Sequence, residues 1–89
     1  MKRAHIFISG FVQGVGFRHF TQRKAEELGL TGWVRNIEDD KVEAVFEGEQ
    51  QKIQEMIKFC HKGPWMAKVD DVEILWEEAS GELEEFEVR

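Results

Sequence analysis

The stretch Gly10-Phe11-Val12-Gln13-Gly14-Val15-Gly16-Phe17-Arg18 limits the possible fold more than any other part of the chain. Upstream, His5-Ile6-Phe7-Ile8-Ser9 has the alternating β-branched and aromatic character of a strand. Downstream, Phe17, Phe20, Lys24, Ala25 and Leu28 fall near helical spacing, and Gly29 stands at a C-cap position. The glycines must therefore convert a strand into a helix within a few residues. Gly14 and Gly16 permit positive φ, so successive backbone N–H groups can turn inward as an anion nest, and the helix behind them adds the positive end of its dipole. Arg18 supplies a planar fork that matches two phosphate oxygens at once.

Two commoner glycine loops do not fit. A nucleotide-triphosphate loop needs G-x-x-x-x-G-K-[ST], but counting from Gly10 places Val15, Gly16 and Phe17 where Gly, Lys and Ser or Thr are required. A dinucleotide fingerprint counted from Gly14 needs a further glycine where the chain has His19. The plainer alternative is a strand-to-helix turn whose glycines only relieve backbone strain. Arg18 and a second element, Gly32-Trp33-Val34-Arg35-Asn36 followed by Val42 and Gly48, favour the functional reading.

Together the two stretches resemble the acylphosphatase family. The first signature, G-x-V-Q-G-V-x-F-R, is met at every fixed position from Gly10 to Arg18. The second, G-[aromatic]-V-[basic]-N-x-x-x-G-x-V-x-x-x-x-x-G, is met from Gly32 to Gly48 except at Asp40, where the family usually has glycine. Asp tolerates left-handed geometry better than most residues, so Asp40 is expected to strain a tight hairpin mildly without removing chemistry. The resemblance extends over essentially the whole chain, including Ala25-Glu26-Glu27-Leu28-Gly29-Leu30 and Ser80-Gly81-Glu82-Leu83. It implies hydrolysis of acyl phosphates to a carboxylate and inorganic phosphate, without cofactor, by a small monomer.

With 89 residues the chain is expected to form one domain, residues 1–89, burying roughly 60–65% of its unfolded surface in a single core. Beginning at Met1 and ending just after the last strand, it reads as a whole protein rather than a piece of a larger carbamoyl-transfer enzyme. No apolar run is long enough for a signal peptide or a membrane span, so the cytoplasm is the expected location. Cys60 is the only cysteine, which agrees with a reducing compartment. A formal net charge of −6 argues against nucleic-acid or anionic-membrane partners, since both need a basic surface. An anionic substrate must then be held by a local positive site.

Further along, strand character returns at Thr31–Asn36, and after a turn over Ile37–Asp40 the residues Val42, Ala44 and Phe46 alternate with Glu43, Val45 and Glu47. Ile53, Met56, Ile57 and Cys60 mark a second amphipathic helix stopped by Gly63-Pro64, and Val72, Ile74 and Trp76 a fourth strand. Phe86 and Val88 suggest a short last strand. This β-α-β-β-α-β order with a terminal strand predicts an α+β ferredoxin-like sandwich, two helices on one face of an antiparallel sheet. A crossover helix makes the first two strands run in the same direction, so the Gln13–Arg18 loop and Asn36 lie at one sheet edge.

No Ser-His-Asp or Cys-His arrangement and no metal-ligand spacing accompanies this loop. The backbone N–H groups of Gln13, Gly14, Val15, Gly16 and Phe17, with the Arg18 guanidinium, are the expected phosphoryl ligands, and Asn36 can orient a water for in-line attack. Cys60 falls on the apolar stripe of its helix and reads as core. His5, His19 and His61 read as structural or solvent-side positions, and Glu38-Asp39-Asp40 as a solvated turn. Phe7, Trp33 and Trp76 are expected to form an aromatic strip on the open sheet face, read as a covered or partner-facing surface. An RNA-recognition module, which uses such a strip, is opposed by the acids of Lys41–Glu47 and by the missing R/K-G-F/Y-G/A-F pattern. A silent anion-sensing domain is opposed by Arg18 and Asn36 at one edge.

Overall fold

The computed structural model describes the chain from Met1 to Arg89. Its elements are β1 (Lys2–Phe11), α1 (Phe17–Glu27), β2 (Thr31–Ile37), β3 (Lys41–Gly48), α2 (Gln50–Lys62), β4 (Lys68–Glu78) and β5 (Phe86–Val88). They form one five-stranded sheet in the order β4-β1-β3-β2-β5. Strands β1 and β2 both pair antiparallel with β3, which makes them parallel to each other and brings their C-terminal ends to the same edge. This is the ferredoxin-like sandwich that the element order predicts. The sheet is mixed rather than purely antiparallel, because β5 returns beside β2 in the parallel sense.

The alternation of β1 sorts its residues between two faces. Ala4, Ile6 and Ile8 are fully buried beneath the helices, whereas Arg3, His5 and Phe7 face the other way and are half-buried. Pairing extends the inner face across Val42, Ala44 and Phe46 of β3 and Val34 of β2. Onto it α1 lays Phe17, Thr21 and Ala25, and α2 lays Ile53, Met56, Ile57 and Cys60. Phe86 closes the β5 side, its ring stacked on Phe46 at 5.5 Å. Burial pushes the Cys60 thiol up to about 12, which leaves an inert core group as the helical stripe implies.

Register corrects one expectation on the sheet. Trp76 pairs with Ala4 and therefore lies on the helix-bearing face, away from Phe7 and Trp33. The aromatic group on the open face consists instead of His5 with Phe7 at 4.8 Å and Trp33 at 6.2 Å. Glu43 and Glu47 also point to that face, yet they are only 6% and 4% exposed. Glu43 accepts from Arg35 Nε at 2.6 Å and stands 2.6 Å from His5 Nε2. Glu47 accepts from Arg3 Nη1 at 3.0 Å and from the N–H groups of Ser80 and Gly81 at 2.8 and 3.2 Å, which pins the crossover from β4 to β5. No helix is long and apolar enough to cross a membrane.

Candidate active site

The loop after β1 has the form its glycines predict. Gly14 and Gly16 take φ of 75° and 79°, and a Cβ added at either would meet nothing within 4 Å. Glycine is needed there for the left-handed backbone and not for want of space. Gly16 is the N-cap of α1, and the first helical bond runs from Phe20 N to Gly16 O at 3.0 Å. No side chain caps this helix, so the N–H groups of its first turn have no acceptor within it and the positive dipole end stays open.

Asn36 reaches the same place from another element. Its register partner is the buried core residue Val42, which puts its side chain on the helix-bearing face at the C-terminal end of β2, toward the start of α1. A cavity of about 380 Å³ forms there, lined by Gly14, Gly16, Phe17, Arg18 and Asn36 together with Val12, His19, Gln22 and Val88. Asn36 Oδ1 is buried and receives no hydrogen bond from any protein group. Arg18 Nη1 donates to the main-chain oxygen of Arg89 at 3.2 Å, which leaves most of its five N–H donors uncommitted. Of the residues singled out from sequence, Gln13 and Val15 belong to the loop but do not line the cavity.

Several participants were not legible beforehand. Gln22 follows Arg18 by one helical turn, a spacing that could have signalled a shared face, and its Nε2 donates to Phe86 O at 3.2 Å. Val88 arrives through the parallel pairing of β5, for which local sequence holds no signal, and Arg89, whose place beside the active-site arginine the family resemblance leaves open, follows it. His19 is exposed as expected, though it stands at the cavity wall. Another correction concerns the hairpin: the left-handed residue is Glu38, with φ of 54°, and Asp40 has ordinary negative φ. Asp40 serves through its carbonyl, which accepts from Gly10 N at 3.1 Å. Elsewhere, no three His, Cys, Asp or Glu side chains converge on a possible metal position.

The structure is a two-helix, five-stranded ferredoxin-like α+β sandwich with a glycine-built turn and an arginine at one sheet edge. Comparison with known proteins identifies its family. The acylphosphatase family model matches residues 4–88. The acylphosphatase of Roseiflexus sp. is 51% identical over 99% of this chain and 95% of its own length, and that of Trichormus variabilis is 54% identical over 98% and 85%. The crystal structure of acylphosphatase from Bacillus subtilis superposes with a TM-score of 0.96 at 32% identity, covering 100% of this chain and 99% of that one. The chain belongs to the acylphosphatase family and is a hydrolase acting on acid anhydrides.

Proposed function

We propose that this chain cleaves carboxyl-phosphate mixed anhydrides by in-line attack on phosphorus of a water held by Asn36. In this reading the main-chain N–H groups of Gln13, Gly14, Val15, Gly16 and Phe17 and the guanidinium of Arg18 bind the phosphoryl oxygens. One observation carries it: Arg18 and Asn36, from a helix and a strand far apart in sequence, line one cavity with the loop glycines. Buried polar atoms are rarely left without a partner, so the orphan Oδ1 of Asn36 supports a water as its donor.

The chemistry suits so small a set of groups. Asn36 has no useful basicity, and nothing in the reading requires a base or a covalent intermediate. As the water oxygen bonds to phosphorus, the bond from phosphorus to the acyl oxygen breaks, and its electron pair leaves on the carboxylate. That leaving group has a pKa of roughly 4 and departs unprotonated at neutral pH. The proton of the water passes to a phosphoryl oxygen. Positioning by Asn36 and charge stabilisation by the loop and Arg18 each lower the barrier by several kcal/mol, on the order of what such groups supply elsewhere. An alkyl phosphate, whose alkoxide leaves far less readily, would be a poor substrate. The partners in this reading are a small-molecule acyl phosphate and the inorganic phosphate it yields. The chain works as a cytoplasmic monomer, with no nucleic acid, membrane, metal or other cofactor.

Acetyl phosphate supplied with the purified chain in excess chelator tests the whole reading. The expected result is acetate and phosphate from the parent chain, almost none from Arg18→Ala, and, in ¹⁸O-water, label in phosphate alone. Label in acetate would place the attack on carbon, and turnover that vanishes with chelator would demand a metal.

A further inference from the structure

The main chain of Gln13 belongs to the loop, but its side chain leaves the loop altogether. Nε2 reaches three carbonyl oxygens of the β2–β3 hairpin: Ile37 at 3.1 Å, Glu38 at 2.9 Å and Lys41 at 2.9 Å. A primary amide has two N–H groups, so one hydrogen is shared among these acceptors. They are the carbonyl just after Asn36, the carbonyl of the left-handed Glu38, and the carbonyl that opens β3. Gly10 N to Asp40 O adds a second tie between the same two segments.

We propose that Gln13 is a positioning residue that sets the carboxamide of Asn36 against the phosphoryl cradle, by clamping the loop that carries the cradle to the turn that ends the Asn36 strand. This rests on the reading that Asn36 aims the nucleophile. The hairpin needs such a clamp. Asn36 lies near the free end of its ladder, where only Ile37 and Lys41 pair beyond it, and Glu38 just after Ile37 holds a left-handed backbone that costs a side-chain-bearing residue about 1–2 kcal/mol. Without the amide, three carbonyls lose a donor and the strand end is free to shift relative to the loop. A displacement on the order of 1 Å is enough to lower a rate about 100-fold, because in-line attack tolerates little misalignment. Phosphate capture makes no such demand, since the loop amides and Arg18 surround the phosphoryl group without help from the hairpin.

The test uses Gln13→Met, of equal length but without a donor, and Gln13→Ala, each made in the parent chain and in the Asn36→Ala chain. For acetyl phosphate, kcat of either single Gln13 variant is expected to fall about 10- to 100-fold. The inhibition constant of inorganic phosphate should stay within about threefold, a split that general loosening of the domain would not give. In the Asn36→Ala background the same substitutions should cause almost no further loss, because the group being positioned is gone. Losses that multiply across the two sites would overturn the proposal while leaving the role of Asn36 intact, as would phosphate binding that weakens in step with turnover. If Asn36→Ala alone kept the parent kcat, the reading beneath the proposal would fail with it. Thermal melts show which of the two Gln13 variants is folded, and either one suffices.

Discussion

The guanidinium of Arg18 donates to the main-chain oxygen of Arg89 at 3.2 Å, so the cation facing the cavity is anchored on one side by the residue that follows β5. Arg89 N in turn donates to Val34 O at 2.8 Å, and Gln22 holds Phe86 O, which ties β5 to both β2 and α1. A lysine could replace the charge of Arg18 but could not grip Arg89 and two phosphoryl oxygens together. Arg18→Lys is therefore expected to lose about 100-fold or more in kcat/KM, close to Arg18→Ala, with weaker inhibition by phosphate in both. Steady-state kinetics decide; a lysine variant within threefold of the parent would show that the fork is unused.

Asn36 should separate binding from turnover. If Asn36 aims the water as proposed, Asn36→Ala is expected to keep the parent affinity for inorganic phosphate while kcat falls about 100-fold or more. Phosphate inhibition measured beside kcat gives both numbers. Equal losses in the two would assign Asn36 to ground-state binding instead.

Gly16 tests the loop geometry independently of the reaction. Alanine there would find open space but a φ of 79°, so the penalty is backbone strain, about 1–2 kcal/mol. At about 4–8 °C for each kcal/mol in a domain of this size, the melting temperature should drop measurably. Gly16→Asn should lose less, because asparagine tolerates left-handed backbone better. A thermal melt of the three chains orders them.

Acid should weaken the protein through its sheet face. Although burial pushes the Glu43 carboxyl up, the hydrogen bonds from His5 and Arg35 outweigh that and hold it below its ordinary value of 4.5. Glu47 is likewise pushed up by burial and brought down further by the N–H groups of Ser80 and Gly81 and by Arg3. In both cases the unfolded chain takes up the proton first as pH falls. Their stabilisation is thus complete above 4.5 and is lost as pH drops through the lower folded-state values. Denaturant melts between pH 7 and pH 3 should show this decline. Glu43→Gln should cost about 1–3 kcal/mol at pH 7 and make the decline shallower.

Much of the framework is legible before any coordinates are seen. Ile6 and Ile8, Val42 and Phe46, and Ile53, Met56, Ile57 and Cys60 carry the alternation or helical spacing that assigns each element and its buried side. Gly14 and Gly16 announce a turn that only positive φ allows. Trp76 shares the parity of Val72 and Ile74, which assigns it to the core face and not to an aromatic strip with Phe7 and Trp33. The burial of Glu43 and Glu47 gives no such warning, because a glutamate in an alternating strand looks the same whether water or an arginine meets it.

Local periodicity and backbone sterics act over a few residues, and these alone determine the order of strands and helices, the sharp bend after Val12 and the presence of Arg18 at the head of α1. Contacts between distant segments answer to packing and register, which no short window contains. The meeting of Asn36 with the loop, the return of β5 beside β2 to hold Arg18, and the reach of the Gln13 amide across to Ile37, Glu38 and Lys41 exist only once the sheet is assembled.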